Sequence, residues 1–242
     1  MKHYQNIVCG VLSPIDLTDT AYCPMVMELL SRHSWILPTH VGNYEPIRTS
    51  YSNTPDALGL WADPFLWKNI HTKIRGAIWF GRKKQHSCLY VNLKPQRHLF
   101  RQHDWVLFLK DASNTLKADY GYLHLITEQE FADQSIGYER LHAIDVGITT
   151  RQLKVGIPNI CWSMVFGAPY EKLVERLRHT SMQSVLTDLT DQIAYLQLTP
   201  SLFDILDNYS SFKDARLNLK RELGENCPFV SDIHNLSPSF LF

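Results

Sequence analysis

The chain of 242 residues predicts an α+β fold, a mixed and largely antiparallel β-sheet with helices packed on it. Short runs with apolar residues at period two are mixed with stretches at helical spacing, and they do so without the regular βαβα order of a parallel sheet. Two of these runs, 73–81 and 86–93, flank a charged turn at 82–85 and read as a β-hairpin. The sequence also has no glycine-rich phosphate loop, so a doubly wound nucleotide-binding sheet is not expected. With 45% hydrophobic residues the chain can bury a sizeable core. One continuous domain over 1–242 is preferred to two, with a weak sub-boundary near 135–147 where the pattern thins.

Taken in order, Ile7 to Leu12 reads as an opening strand, and Asp16 to His33 as a helix carrying Met25, Val26, Leu29 and Leu30 on one side. Thr18 or Thr20 is the expected cap of that helix, with Pro24 in its first turn. A strand is expected near Trp35 to Leu37, then extended chain through Glu45, which precedes a proline. Thr54 and Pro55 start a short helix that Asp63-Pro64 ends. Beyond the hairpin, Leu99 to Ala118 carries Phe100, Trp105, Phe108, Leu109, Ala112 and Leu116 on a broad stripe, as an amphipathic helix does. Gly121 to Thr127 is a strand, and Thr127 with Glu130 three residues on has the spacing of a capping box.

The most distinctive run is Gly156 to Tyr170, an aromatic-rich strand in which Ile160, Trp162, Met164 and Phe166 alternate. Gly167 and Pro169 end it, and a helix over Tyr170 to Arg178 follows. Ser184 to Leu189 and Gln192 to Leu198 read as two more strands, and Phe212 to Leu223 as a last helix closed by Gly224.

Lys plus Arg and Asp plus Glu number 24 each, so the broad positive field that a phosphate backbone requires is missing and no nucleic acid is expected as partner. The opening residues are too polar for a secretory signal, and no apolar stretch approaches the roughly 20 residues that span a bilayer. A soluble, cytoplasmic protein with no membrane partner is the expectation. Five cysteines without a C-x-x-C pair read as reduced thiols, with Cys88 and Cys161 as small buried hydrophobes. The apolar tip Phe240 to Phe242 leaves a homodimer open.

Local signatures of catalysis are missing. His98 and His103 lie five apart, which turns them about 140° from one another on a helix, whereas paired metal ligands need a spacing of three or four. His124 sits in a strand between leucines and reads as a structural histidine. No metal site, cofactor or catalytic residue is expected, since H-E-x-x-H, an acidic D-x-D loop and G-x-S-x-G are all absent from the sequence. Glu128 with Glu130, and Asp188 with Asp191, read as helix-start charges and turn residues rather than as acid/base pairs.

The stretch Tyr44 to Arg82 differs in character because it interleaves large aromatics with charged side chains, the composition of protein-binding hot spots. Trp61, Trp67 and Trp79 can equally fill the core, with Arg75 and Asp63 paired nearby. Glu45, Arg48, Asp56, Trp61 and Asp63 are the expected partner-binding residues, of which Glu45, Arg48 and Asp56 fall in predicted loop.

E-P-I-R (Glu45 to Arg48), D-A-L-G-L-W (Asp56 to Trp61), F-L-W-K (Phe65 to Lys68), I-R-G-A-I-W-F-G (Ile74 to Gly81), A-D-Y-G-Y-L-H-L-I-T (Ala118 to Thr127) and C-W-S-M-V-F-G-A-P-Y (Cys161 to Tyr170) together resemble an immunity-protein family of bacterial polymorphic-toxin and type VI secretion systems. The resemblance extends over Tyr44 to Leu198 and implies a non-enzymatic protein that neutralises a cognate effector toxin by stoichiometric binding and occlusion of its active site. No contact position carries over, because such families share no universal inhibitory residue. Against a nuclease toxin, Glu45, Asp56 and Asp63 are the carboxylates expected to imitate phosphate. The competing readings are an enzyme, such as a hydrolase, with a non-sequential active site, and an adaptor that loads an effector for secretion.

Overall fold

A strand whose two faces are both covered needs apolar residues at nearly every position, and the two longest strands meet that demand. They are β1 (Gln5–Ser13), buried from Ile7 onward, and Tyr120–Thr127, buried throughout. In a computed structural model that describes residues 5–81, 85–94, 101–133, 138–179 and 185–223, these two lie side by side in the middle of a ten-stranded sheet. After β1 come α1 (Tyr22–Arg32), β2 (His40–Gly42), β3 (Thr49–Ser50), α2 (Thr54–Leu58), β4 (Phe65–Asn69), β5 (Ile74–Trp79), β6 (Ser87–Leu93) and α3 (Gln102–Thr115). Then follow β7 (Tyr120–Thr127), α4 (Glu128–Ala132), α5 (Tyr138–Val146), α6 (Thr150–Val155) and β8 (Ser163–Phe166). The chain continues through α7 (Glu171–Arg178), β9 (Val185–Thr190), β10 (Ile193–Gln197), α8 (Asp204–Asp207) and α9 (Tyr209–Leu223).

The strand order is β3-β2-β4-β5-β6-β1-β7-β8-β10-β9, and each neighbouring pair is antiparallel. The architecture is therefore the α+β class that the sequence predicts, including the hairpin, whose strands pair from Arg75 with Asn92 to Trp79 with Cys88. Period-two alternation and this register sort the side chains into two faces. One face carries the row Lys68, Arg75, Asn92, Val8 and His124, and beside it the row Leu66, Ala77, Tyr90, Gly10, Tyr122 and Met164. The other carries Phe65, Ile78, Leu89, Val11, Gly121 and Val165.

On the second face lies α3, close enough that a Cβ added at Gly121 would sit 3.2 Å from both Leu109 and Ser113. Against α3 pack α1 and the turn that follows it, where Trp35 meets Trp105 with ring centroids 4.7 Å apart. On the first face the later helices cover the β6–β1–β7–β8 part of the sheet. The Tyr122 hydroxyl donates to the Ile144 carbonyl of α5 at 3.2 Å, Tyr90 donates to the Asp145 carbonyl, and Asn6 Nδ2 donates to Asp145 Oδ1 at 2.9 Å.

Several local expectations change. Residues 35–37 are turn and irregular chain, not a strand, with the Ile36 N–H on the His33 carbonyl at 2.9 Å, because the Trp35 ring is held by Trp105 and Phe108 rather than by a neighbouring strand. Neither Thr18 nor Thr20 caps α1. Thr18 turns its N–H and hydroxyl to Asp16 at 3.0 and 2.7 Å, and the helix starts at Tyr22 with Ala21 as an N-cap that supplies no side chain. The cap of α2 is Asn53, one residue before Thr54. From Ile160 only Ser163–Phe166 is strand, and all of it is buried, so its alternation does not separate a wet face from a dry one. Residues 82–84 of the hairpin turn, His98, Phe100, residues 135–137 of the sub-boundary, Ser184, Gly224, Cys227 and the Phe240 to Phe242 tip lie outside the described residues.

Candidate functional site

The first face changes character past β6. Among the described residues no helix crosses it over β2, β4 and β5, and its larger side chains reach solvent while the small Ala77 between them is buried. Arg75 is exposed, Lys68 and Leu66 are half-buried, and Trp79 is 38% exposed although it is one of the bulkiest apolar side chains. Gly147, with φ +106°, brings the end of α5 against the Trp79 ring, where a Cβ would lie 3.2 Å away. On its strand neighbour the Tyr90 ring stands 5.7 Å from that of Trp79. Trp79 thus marks the border at which the helical cover ends, with Val146, 49% exposed, beyond it. Tyr44, 76% exposed, belongs to the loop after β2.

Of the residues that the sequence singles out, Glu45 lies beside this open half. Its Oε1 is 3.3 Å from Arg75 Nη1, and its Oε2 accepts the Ile47 N–H at 3.3 Å. Arg48 is exposed in the same loop. Asp56 has local work, since its Oδ2 accepts the N–H groups of Ser52 and Asn53 at 2.7 and 3.2 Å and so closes the capping box of α2. Asp63 Oδ1 accepts the Phe80 N–H at 3.1 Å, holding the start of β4 to the end of β5. Trp61 is a core residue: 7% exposed, it donates its indole N–H to the Leu17 carbonyl at 2.9 Å and packs on Phe65 and Phe80. It is therefore not a surface anchor, because an indole in an apolar cluster with its one donor satisfied has nothing left to offer a partner.

Asn43 carries no local sequence signal, yet it organises this edge. Its Nδ2 lies 2.7, 3.2 and 3.0 Å from the carbonyl oxygens of Leu60, Ala62 and Pro64, tying the loop that carries Tyr44 and Glu45 to the one that carries Asp63. The sequence signal for the open half is the parity of β5, which puts Arg75 and Trp79 on one side, but parity alone does not say which side is covered.

Two polar clusters lie deeper. His124 and Glu130 are fully buried and Arg216 is 2% exposed. The Trp162 N–H donates to His124 Nδ1 at 3.1 Å, which makes that nitrogen an acceptor and places the ring proton on Nε2, facing Glu130 at 3.1 Å. Arg216 Nη2 donates to Glu130 Oε1 at 2.7 Å. Burial pushes the Glu130 carboxyl up, and the interactions with His124 and Arg216 outweigh it and hold the pKa below its usual 4.5. In the second cluster the Thr150 hydroxyl accepts the His86 N–H at 2.7 Å and lies 3.0 Å from Nδ1, while Nε2 lies 3.1 Å from Asp119 Oδ2. Because the hydroxyl is occupied by the backbone of His86 itself, this arrangement ties the hairpin to α6 and to the start of β7.

The cysteines Cys9, Cys23, Cys88 and Cys161 are buried free thiols. Desolvation raises Cys23 to about 11 and Cys88 to about 12, and it raises Cys9 and Cys161 as well, so none carries the thiolate that nucleophilic chemistry needs. Among the described residues no group of three or more His, Cys, Asp or Glu is placed to hold a metal ion. None of their helices is long and apolar enough to cross a membrane.

Fold and surface together define a ten-stranded antiparallel α+β protein in which the described residues leave one half-face of the sheet uncovered. No protein-family model matches the chain, and no curated protein matches it. Among solved structures it is similar to the Pseudomonas aeruginosa T6SS protein PA0821, at 12% identity and a TM-score of 0.54, over 90% of this chain and 74% of that one. At that identity the likeness shows the fold alone.

Proposed function

We propose that this protein is an immunity protein that neutralises a cognate bacterial effector toxin of a type VI secretion system by stoichiometric binding, without turnover, in the cytoplasm of the producing cell. The observation that carries the proposal is the open half-sheet, on which Trp79, Arg75, Lys68 and Leu66 share one face with Glu45 at its rim. A large aromatic set among charges that are exposed and exchangeable is the composition of a binding centre. The motifs that resemble the immunity family support the same reading, and so does the likeness in fold to a T6SS protein.

The test is capture with the tagged full chain, followed by titration of the recovered toxin's activity. Inhibition that is complete near one to one supports the proposal, and Trp79→Ala is expected to weaken binding about thirtyfold, the consequence of losing roughly 2 kcal/mol at a hot spot. A partner that stays fully active when bound is the outcome an adaptor predicts, and it would sink the inhibitor reading.

A further inference from the structure

We infer a second binding site, on the opposite face of the sheet, for a small zwitterion with an apolar body, of the class of a free amino acid. It does not depend on toxin binding, since none of its residues lies on the open half-sheet. The site is a cavity of about 290 Å³ between the turn after α1, the β4–β5 turn and the first turn of α3. Its size suits one amino-acid-sized molecule, at the small end of ligand pockets. The Trp35 and Trp105 rings, at 4.7 Å and tilted by 43°, and Leu93 supply apolar wall.

The polar groups make the assignment. Arg101 is the N-cap of α3 and Asp104 stands three residues on in its first turn, so both line the cavity from the same end of the helix. Opposite charges at this spacing commonly pair, yet these two form no ion pair with each other or with any other described residue. Arg101 supplies no side-chain cap, so the positive end of a 14-residue helix adds to its guanidinium. Thr72 lines the cavity with its other atoms, since its hydroxyl has no surface open to it. One cation and one anion beside an aromatic wall match a carboxylate at Arg101, an ammonium at Asp104 and an apolar side chain on the tryptophans.

The test is a titration of the full-length protein with L-phenylalanine and with L-leucine by calorimetry, together with their N-acetyl and amide derivatives. Saturable binding of a free amino acid is expected, weakened about tenfold or more when either charged end is blocked. Arg101→Met is expected to abolish the discrimination against the amide, and Asp104→Asn that against the N-acetyl form. Arg101 is exposed and Asp104 half-buried, and circular dichroism melts are the check that the variants fold. Absence of saturable binding of either amino acid, or equal binding of the free and blocked forms, would overturn the inference.

Discussion

Replacing Arg216 by Met tests whether the buried cluster holds the late helices to the sheet. The guanidinium is 2% exposed, 2.7 Å from the fully buried Glu130 carboxylate, and stacked 4.5 Å over the Phe212 ring. Methionine keeps most of the apolar contact and removes the charge, so the variant strands Glu130 in the core with His124 as its remaining partner. Breaking a buried pair from one side costs about 3–5 kcal/mol, which for a chain of this size is a fall of about 6–20 °C in Tm. Glu130→Gln strands Arg216 instead and is expected to cost a similar amount, while the double variant loses much less than the two together. Thermal and urea unfolding followed by circular dichroism give the cycle. The pH dependence has a fixed sign, because the Glu130 pKa is depressed in the folded protein below its usual 4.5. Its contribution is complete above that value and is lost as pH falls through the folded pKa, so wild type and Arg216→Met converge in acid. A variant that melts within about 2 °C of wild type at neutral pH would refute the reasoning, since no buried pair of this kind is broken so cheaply.

Gly76→Ala would put a Cβ 2.0 Å from the Trp67 indole, and the overpacking is expected to cost about 1–3 kcal/mol by the same unfolding assay. Thr150→Val removes the hydroxyl shared by the His86 N–H and ring and is expected to destabilise by about 1–2 kcal/mol, with urea midpoints as the readout. Peptide mapping after alkylation of the native protein is expected to show Cys9, Cys23, Cys88 and Cys161 unlabelled, with labelling only on denaturation, because burial keeps each thiol protonated.

The parts of the fold legible in the sequence are those whose signal is local. The β5–β6 hairpin is one, since its strands are neighbours and their alternation is in phase, and the stripe of α3 is another. The Thr127 cap is real, with its hydroxyl accepting the Glu130 N–H at 3.2 Å. Yet the same spacing conceals what Glu130 does, because its carboxylate turns inward to Arg216, 86 residues away, and no local pattern encodes a partner at that distance. The three tryptophans show the same limit. Trp67 and Trp79 look alike along the chain, but Trp67 is fully buried on the second face, beside Phe65 and over Gly76, while Trp79 stands where the cover of the first face stops. Asp56 and Asp63 carry the residue type of a charged interface and are used by nearby N–H groups instead, which short carboxylates beside turns commonly are.

How the open half-sheet is supported decides how well it can bind. Loops that order on contact lose conformational entropy at that moment, whereas a strand already paired on both sides has lost it in folding. Both β4 and β5 are interior strands of the sheet, and β5 is backed on the second face by Ile78 and Phe80, so the positions of Arg75 and Trp79 are set before any partner arrives. Trp79 is further confined between Gly147 and Tyr90, which fixes a large anchor without covering it. The Glu45–Arg75 pair is the opposite case. With 54% and 63% of its side chains exposed, it contributes at most about 1 kcal/mol, so each member can exchange the other for a partner's charge at little cost. In the proposed binding role, the fixed aromatic Trp79 would supply affinity and the exchangeable Glu45–Arg75 pair at its rim selectivity. Under the proposed toxin-binding role, charge reversal at the rim is expected to change partner selectivity more than the strength of a neutral contact.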